Sequence, residues 1–427
     1  MEQIPISNSF FAENRANLLG KIEKEAIAIL FSSEQKLRTG DQYYPYRQNS
    51  DFFYLTGIEQ EESVLFLDSQ NPDINLREVL FLLTPDEKMK IYDDKKLSSE
   101  DAATLSGINT IKPLSLFSEY LEERLKSSEI VYSQFVLGEG NLELLEKSSS
   151  ALFAQELFRQ DFSKTYKSIN SVTTALRLIK HPVEIELIQK ACDITDKVFK
   201  ETILQVKPEM YEYEIDAILK YGFMKRGIKS LSFEPIIASG ENALRLHYTK
   251  KDKRCSDGEL LLFDIGCEYQ NYCSDCSRTI PVNGKFTERQ KACYNAVLNV
   301  FEKAKKLFIE GNTIASINQQ ALLFMAEELL ALKLIAIEQY NDEEQRKIVT
   351  RKYLPHGISH YVGLDTHDVG AFDIPFEKGM VLTCEPGIYI QDEKIGIRIE
   401  TMLLITDSEP YDFFSDTYLT IDEIEGK

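Results

Sequence analysis

A chain of 427 residues exceeds one comfortable hydrophobic core, which makes two domains the natural division. With 43% hydrophobic and 28% charged residues it has the make-up of a soluble globular protein. Its formal charge of -20 opposes a polyanionic partner, so nucleic acid drops out and the excess reads as solubility.

The first elements alternate strand-like and helical runs. Ala26–Phe31, Ser63–Asp68, 79–84 and 130–136 are short apolar stretches of β type. Phe117, Leu121 and Leu125 recur every four residues, with Glu119, Glu122 and Glu123 on the other side, which predicts an amphipathic helix. An α/β domain over 1–165 follows. It contains no histidine and no catalytic constellation. The polar stretch 161–170 reads as the connection to a second domain, 171–427. Ala26–Phe31 is also too short, and too charged on its N-terminal side, for a secretory signal.

The second domain opens with a helix at His181-Pro182, since proline fits a first helical turn and Glu184 and Glu186 favour the positive end of the dipole. Val183, Leu187, Ala191, Ile194 and Val198 are its expected buried stripe, and His181 is structural. Next come two apolar runs, 261–267 and 272–280, around the polar 268–271. A symmetric hairpin centred between Tyr269 and Gln270 sets Asp264 opposite Asp275, with Cβ atoms roughly 5 Å apart. Thr287 and Gln290 form a capping box, and helical text continues to about residue 337. Within it 321–337 carries Glu327, Glu328 and Lys333, so it is amphipathic rather than a membrane span. The acidic stretch 341–345 looks like a turn. A second hairpin has apolar arms 381–383 and 397–399 about the polar turn 391–394, setting Glu385 opposite Glu400.

Two opposed acidic pairs inside apolar strands repel one another unless a cation lies between them. Four of the five histidines (His247, His356, His360, His367) lie near these hairpins, and His247 and His367 precede Asp264 and Glu385 by similar spacings. Each half therefore reads as a histidine followed by a carboxylate hairpin, an internal repeat. Four oxygen donors and one nitrogen donor suit a pair of divalent ions about 3.5–4 Å apart, able to make a nucleophile from water at neutral pH. Seven scattered cysteines fit reduced thiols and a cytoplasmic protein. Cys273 and Cys276 have a zinc-type spacing without a second pair, so they read as small strand residues, and Cys384 as a packed thiol.

These residues also carry a family resemblance. His356-Gly-Ile-Ser-His360-Tyr-Val-Gly-Leu-Asp-Thr-His367-Asp, Thr383-Cys-Glu385-Pro-Gly-Ile-Tyr389 and Ile397-Arg398-Ile-Glu400 closely resemble the Xaa-Pro aminopeptidases, or aminopeptidase P. So do Ala238-Ser-Gly-Glu-Asn-Ala, His247-Tyr248, Phe263-Asp264-Ile-Gly266 and Ser274-Asp275-Cys-Ser-Arg278. In the first domain Asn14-Arg-Ala-Asn-Leu-Leu and Asp51-Phe-Phe-Tyr-Leu-Thr-Gly57 are similar to that family's N-terminal domain.

The resemblance implies an α+β "pita-bread" catalytic domain with pseudo-two-fold halves and two divalent ions of the Mn²⁺ type, Co²⁺ and Zn²⁺ being alternatives. Their ligands would be Asp264, Asp275, His360, Glu385 and Glu400. It implies cleavage of the N-terminal Xaa-Pro bond by a metal-bridging hydroxide, with Glu385 moving the proton and His247 and His367 stabilising the oxyanion. His356, Tyr389 and Arg398 would join His247 and His367 in binding substrate, with Arg398 able to orient carboxylates. Peptides with proline second are the expected partners, with no membrane, and a homodimer or homotetramer is the expected assembly. A prolidase restricted to dipeptides and a non-catalytic binding module on the same fold are the rival readings. Two departures stand out: Thr401 follows Glu400 where the family often has an acid, and the chain has no tryptophan to make any substrate contact of that kind.

Overall fold

The computed structural model describes residues 3–85, 87, 89–92, 95–137, 142–161 and 163–427. Contacts divide the chain into Pro5–Leu176 and a second unit, Arg177–Lys427, which Gln3 and Ile4 join.

The first unit is built on a six-stranded mixed sheet. Its strands are β1 (Ala26–Phe31), β2 (Ser63–Asp68), β3 (Glu78–Leu82), β4 (Thr110–Pro113), β5 (Ile130–Ser133) and β6 (Thr165–Ser168), in the order β6-β5-β1-β2-β3-β4. β1 and β2 are buried along their whole length, which is why they read as unbroken apolar runs rather than alternating ones. Helix Phe117–Leu125 buries Phe117, Leu121 and Leu125, as its four-residue period requires. The stretch 161–170, expected to be a connection, instead carries the edge strand β6, paired in parallel with β5. An edge strand needs only one hydrogen-bonded side and tolerates polar residues, so its sequence does not announce it. The two N-terminal motifs are structural: Asn14 donates to the Tyr54 carbonyl, and buried Arg15 donates to those of Leu55 and Ser106. Gly57 ends helix Ser50–Thr56 at φ 69°, where a Cβ would lie 2.5 Å from the Phe11 ring.

In the second unit the helices Pro182–Ile203 and Glu212–Met224 accompany one set of strands, and Glu288–Lys305 and Ile314–Ala331 another. The first set is β7 (Ile236–Ser239), β8 (Leu260–Ile265) and, after the short pair β9 (Glu268–Tyr269) and β10 (Tyr272–Cys273), β11 (Cys276–Pro281). The second is β12 (Val381–Cys384), β13 (Gly387–Ile390), β14 (Ile395–Arg398), β15 (Thr401–Leu404) and β16 (Tyr411–Asp412).

Thr287 caps its helix as expected, accepting from Gln290 N while Gln290 Oε1 accepts from Thr287 N. The acidic stretch 341–345 is a helix start, not a turn: Asp342 accepts from Gln345 N and caps Glu343–Tyr353. Acids cluster there because they neutralise unpaired N–H groups at the positive end of the dipole. At Pro182–Ile203, Val183 is only half-buried and Glu184 is buried instead, accepting from His181 N and from the Tyr272 hydroxyl. No helix among the described residues is long and apolar enough to cross a membrane.

Candidate metal centre

The first hairpin differs in register from the sequence expectation. Asp264 on β8 pairs with Ser277 on β11, not with Asp275, and beyond Gly266 the ladder resumes with Tyr269 opposite Tyr272. Its turn is Gln270-Asn271, both at positive φ (47° and 71°). Two left-handed turn residues suit the twist of a tight hairpin, but they are usually Asn-Gly or Asp-Gly. Without a glycine the turn is silent in the sequence, and the centre shifts by one residue. Asp275 thus lies diagonally from Asp264, in the gap between β10 and β11. A Cβ on Gly266 would come within 1.9 Å of the Ser274 carbonyl oxygen, so only glycine admits this close approach.

The second hairpin keeps the expected register. Cys384 pairs with Thr401 and Gly387 with Arg398, so Glu385 and Glu400 lie level where the ladder breaks between β12 and β13. Two neighbours hold the break. Glu385 N donates to the Ile358 carbonyl, and Glu400 N to that of Ser277 on the first hairpin. The segment 358–362 runs beside β12, with Thr383 N donating to His360 O and His360 N to Thr383 Oγ1. In this way two hairpins and one irregular segment deliver five side chains to one place.

Asp264, Asp275, His360, Glu385 and Glu400 all line a cavity of about 190 Å³, with His247, His356, His367, Arg398 and Leu246. Ligand atoms of Asp275, His360 and Glu400 lie within 4.8 Å of one another. His360 Nε2 is 3.5 Å from Asp275 Oδ2 and 3.6 Å from Glu385 Oε1. Its Nδ1 faces the Tyr361 carbonyl at 3.0 Å and so keeps its proton, which turns Nε2 toward the cavity as the atom that would ligate once deprotonated. Asp264 and Glu400 each have one oxygen occupied. Arg398 Nη2 donates to Asp264 Oδ2 at 2.5 Å, and the Ser277 hydroxyl to Glu400 Oε2 at 2.7 Å. The other Asp264 oxygen, Oδ1, is buried with no hydrogen-bond partner among the described residues. An orphaned anionic oxygen is costly unless a cation meets it. This donor set fits divalent ions.

The electrostatics agree. Burial, with the Asp264 and Glu385 charges, pushes the Asp275 carboxyl up to about 7 against the His360 hydrogen bond. Burial and the other three acids push Glu400 well above the usual carboxylate range. Burial opposes charge on His360, yet Asp275 and Glu385 raise it to about 9. Without metal the cluster relieves its repulsion by holding protons, the role a cation would take over.

The remaining site residues fall into two groups. His247 and His367 are exposed at the cavity, and the His367 and His360 rings lie 4.3 Å apart. Burial, then the His360 charge, lowers the pKa of His367, which keeps it a neutral N–H donor. The His247 loop is pinned by buried Glu212, which accepts from the Tyr248 hydroxyl, Ser239 N and Lys253 N. Behind the cavity the Tyr389 hydroxyl joins His356 Nε2 (2.9 Å) to Arg398 Nη1 (3.0 Å), and Arg398 Nε donates to Ser277 Oγ at 2.8 Å. Tyr389 is buried and is not among the cavity-lining side chains. Ser277, linking Arg398 to Glu400, is absent from the sequence reading. Its signal was there: it follows Asp275 by two residues, the spacing of one strand face. Cys273, Cys276 and Cys384 are buried and form no disulfide among the described residues, and burial raises the Cys384 thiol well above its usual range.

Comparison with known proteins matches residues 186–407 to metallopeptidase family M24 and residues 11–132 to the aminopeptidase P N-terminal domain. The Xaa-Pro aminopeptidase of Escherichia coli is 32% identical over 99% of this chain and 98% of its own. A putative aminopeptidase P from Bacillus anthracis superposes with a TM-score of 0.91 at 32% identity, covering 99% of this chain and 98% of that one. A Zn-substituted E. coli aminopeptidase P in complex with product gives 0.88 at 30% identity, with the same coverage.

Proposed function

The chain belongs to metallopeptidase family M24, with an aminopeptidase P type N-terminal domain ahead of a pita-bread catalytic domain, and from this we propose a metal-dependent aminopeptidase that removes the residue preceding an N-terminal proline. The observation that carries the reading is the convergence of four carboxylates and one imidazole on a single 190 Å³ cavity with three further histidines. Catalysis is assigned to the unit Arg177–Lys427.

Two divalent ions, for which Mn²⁺ is our choice, would supply Lewis-acid polarisation and a water of lowered pKa. Asp264, Asp275, His360, Glu385 and Glu400 would hold them. Arg398 and Ser277 support that role by occupying one oxygen each of Asp264 and Glu400, so the remaining oxygens face the cavity. Glu385 takes the proton of the attacking water and passes it to the prolyl nitrogen as the bond breaks. His247 and His367 donate hydrogen bonds to the carbonyl oxygen as it gains charge. His356 contacts substrate, with Tyr389 and Arg398 acting through it and through Asp264. We place the enzyme in the cytoplasm, where its seven buried thiols would stay reduced, and assign it a homodimeric or homotetrameric assembly.

The test is hydrolysis of Xaa-Pro peptides of increasing length by the Mn²⁺-loaded protein. Release of the first residue from tripeptides and longer chains is expected. Turnover confined to the dipeptide would make it a prolidase, and no turnover with less than one ion bound per chain would make it a binding module.

A further inference from the structure

Among the described residues none hydrogen-bonds the His367 ring, which is exposed and faces His360 at 4.3 Å. Its placement therefore rests on its backbone. The next residue is Asp368, whose carboxylate is 1% exposed. Lys180 Nζ, itself 1% exposed, donates to Asp368 Oδ2 at 2.8 Å, and Arg177 Nη2 to Oδ1. Burial alone would raise this carboxyl, yet Lys180 and Arg177 hold it below the usual carboxylate range.

The clamp is tied to the ligand-bearing elements. Asp368 N donates to the carbonyl of Tyr361, beside His360, at 2.9 Å, and Cys273 N, two residues before Asp275, donates to Gly363 O at 2.8 Å. Gly363 forms the wall against the carboxylate: a Cβ there would lie 2.2 Å from Asp368 Oδ2. Lys180 is anchored in turn, its N–H on Gly379 O and its ammonium on Arg177 O. Apolar groups of equal volume could fill such a space with no loss of stability, so stability alone does not account for this buried charge cluster.

We propose that Asp368, clamped between Lys180 and Arg177, is a positioning residue for catalysis, fixing the backbone from which the His367 imidazole reaches the reacting carbonyl. This rests on the role assigned to His367 above. His367 closes a run of bends and Asp368 follows it directly, so locking the Asp368 carboxylate and its N–H fixes the backbone that carries the ring. A shift of the donor by an ångström costs on the order of 100-fold in rate.

The experiment is a double-mutant cycle on the Mn²⁺-loaded full chain with an Xaa-Pro tripeptide. Asp368→Asn should lower kcat about 10- to 100-fold with KM and metal content near wild type. In a His367→Ala background the same substitution should change kcat less than about twofold, because its effect passes through that ring. An equal loss in both backgrounds, or none in the wild type, overturns the proposal. Removing a buried acid can unfold the chain, so Gly363→Ala, which displaces the carboxylate without deleting charge, is the second variant and should repeat the pattern. NMR of the histidine rings in the metal-free full chain supplies a readout free of turnover: the His367 signal, identified by its loss in His367→Ala, should move in both variants, and an unmoved signal refutes the clamp. Absence of turnover by the wild type would count against the proposed function alone, since the NMR arm still decides Asp368.

Discussion

Glu184 offers a quantitative check on how this fold carries buried charge. The residue is 1% exposed and sits between the start of helix Pro182–Ile203 and the Asp275 hairpin. It accepts from His181 N at 2.8 Å and from the Tyr272 hydroxyl at 3.0 Å. Burial, opposed by Lys180 and these hydrogen bonds, raises its carboxyl from 4.5 to about 7. The native protein therefore keeps a proton that the unfolded chain gives up. The sign follows: this group's stability is fully present below pH 4.5 and is lost as pH rises through 7. The whole shift is worth about 3 kcal/mol, roughly 2.5 kcal/mol of it between pH 5 and pH 8. Glu184→Gln removes the titration and keeps an acceptor for His181 N. The variant should be slightly less stable than wild type near pH 5 and should gain about 2.5 kcal/mol relative to it by pH 8. Urea unfolding of the metal-free full chain, followed by circular dichroism at both pH values, measures the gap, and titrations common to both proteins cancel. A gap constant across pH would mean that Glu184 is ionised in the native state, and the argument would fail.

Glu385→Gln should lower turnover by about 10²- to 10⁴-fold while circular dichroism and Tm stay near wild type; near-normal kcat removes its proton-transfer role. Chelation should abolish hydrolysis and Mn²⁺ restore it. Reloading near neutral pH should release protons, because His360 is raised to about 9 and Asp275 to about 7 in the metal-free cluster. Calorimetry in buffers of different ionisation heat measures that release, and identical heats would contradict it. Gly266→Ala should cost about 2–3 kcal/mol and reduce bound metal, since the added Cβ meets the Ser274 carbonyl beside Asp275; thermal unfolding and metal analysis would detect both.

Most of the cluster was legible because its signals are local. Glu385 and Glu400 sit in apolar arms about a polar turn, so the alternation of strands carries their register directly. The helix starts at Pro182 and Glu288 were equally plain, each having its cap within three residues. Misreadings arose where local text has two meanings. Acids at 342–344 serve a helix cap as well as a turn, and the polar residues of β6 serve an edge strand as well as a linker. The first hairpin slipped because Gln270-Asn271 adopts left-handed geometry without a glycine to mark it.

The order of acids and histidines along the chain was enough to point to a metal site, since strand alternation is written in neighbouring residues, and the family resemblance supplied the choice of His360 and the peptidase chemistry. Partnership was not so written. That Arg398 reaches Asp264, Ser277 and Tyr389 at once, that Asp264 keeps one oxygen without a donor among the described residues, and that Lys180 closes on Asp368 from 188 residues away all depend on packing between distant segments. Burial sets the energy of each such charge, and burial is a property of the assembled fold that no stretch of sequence contains.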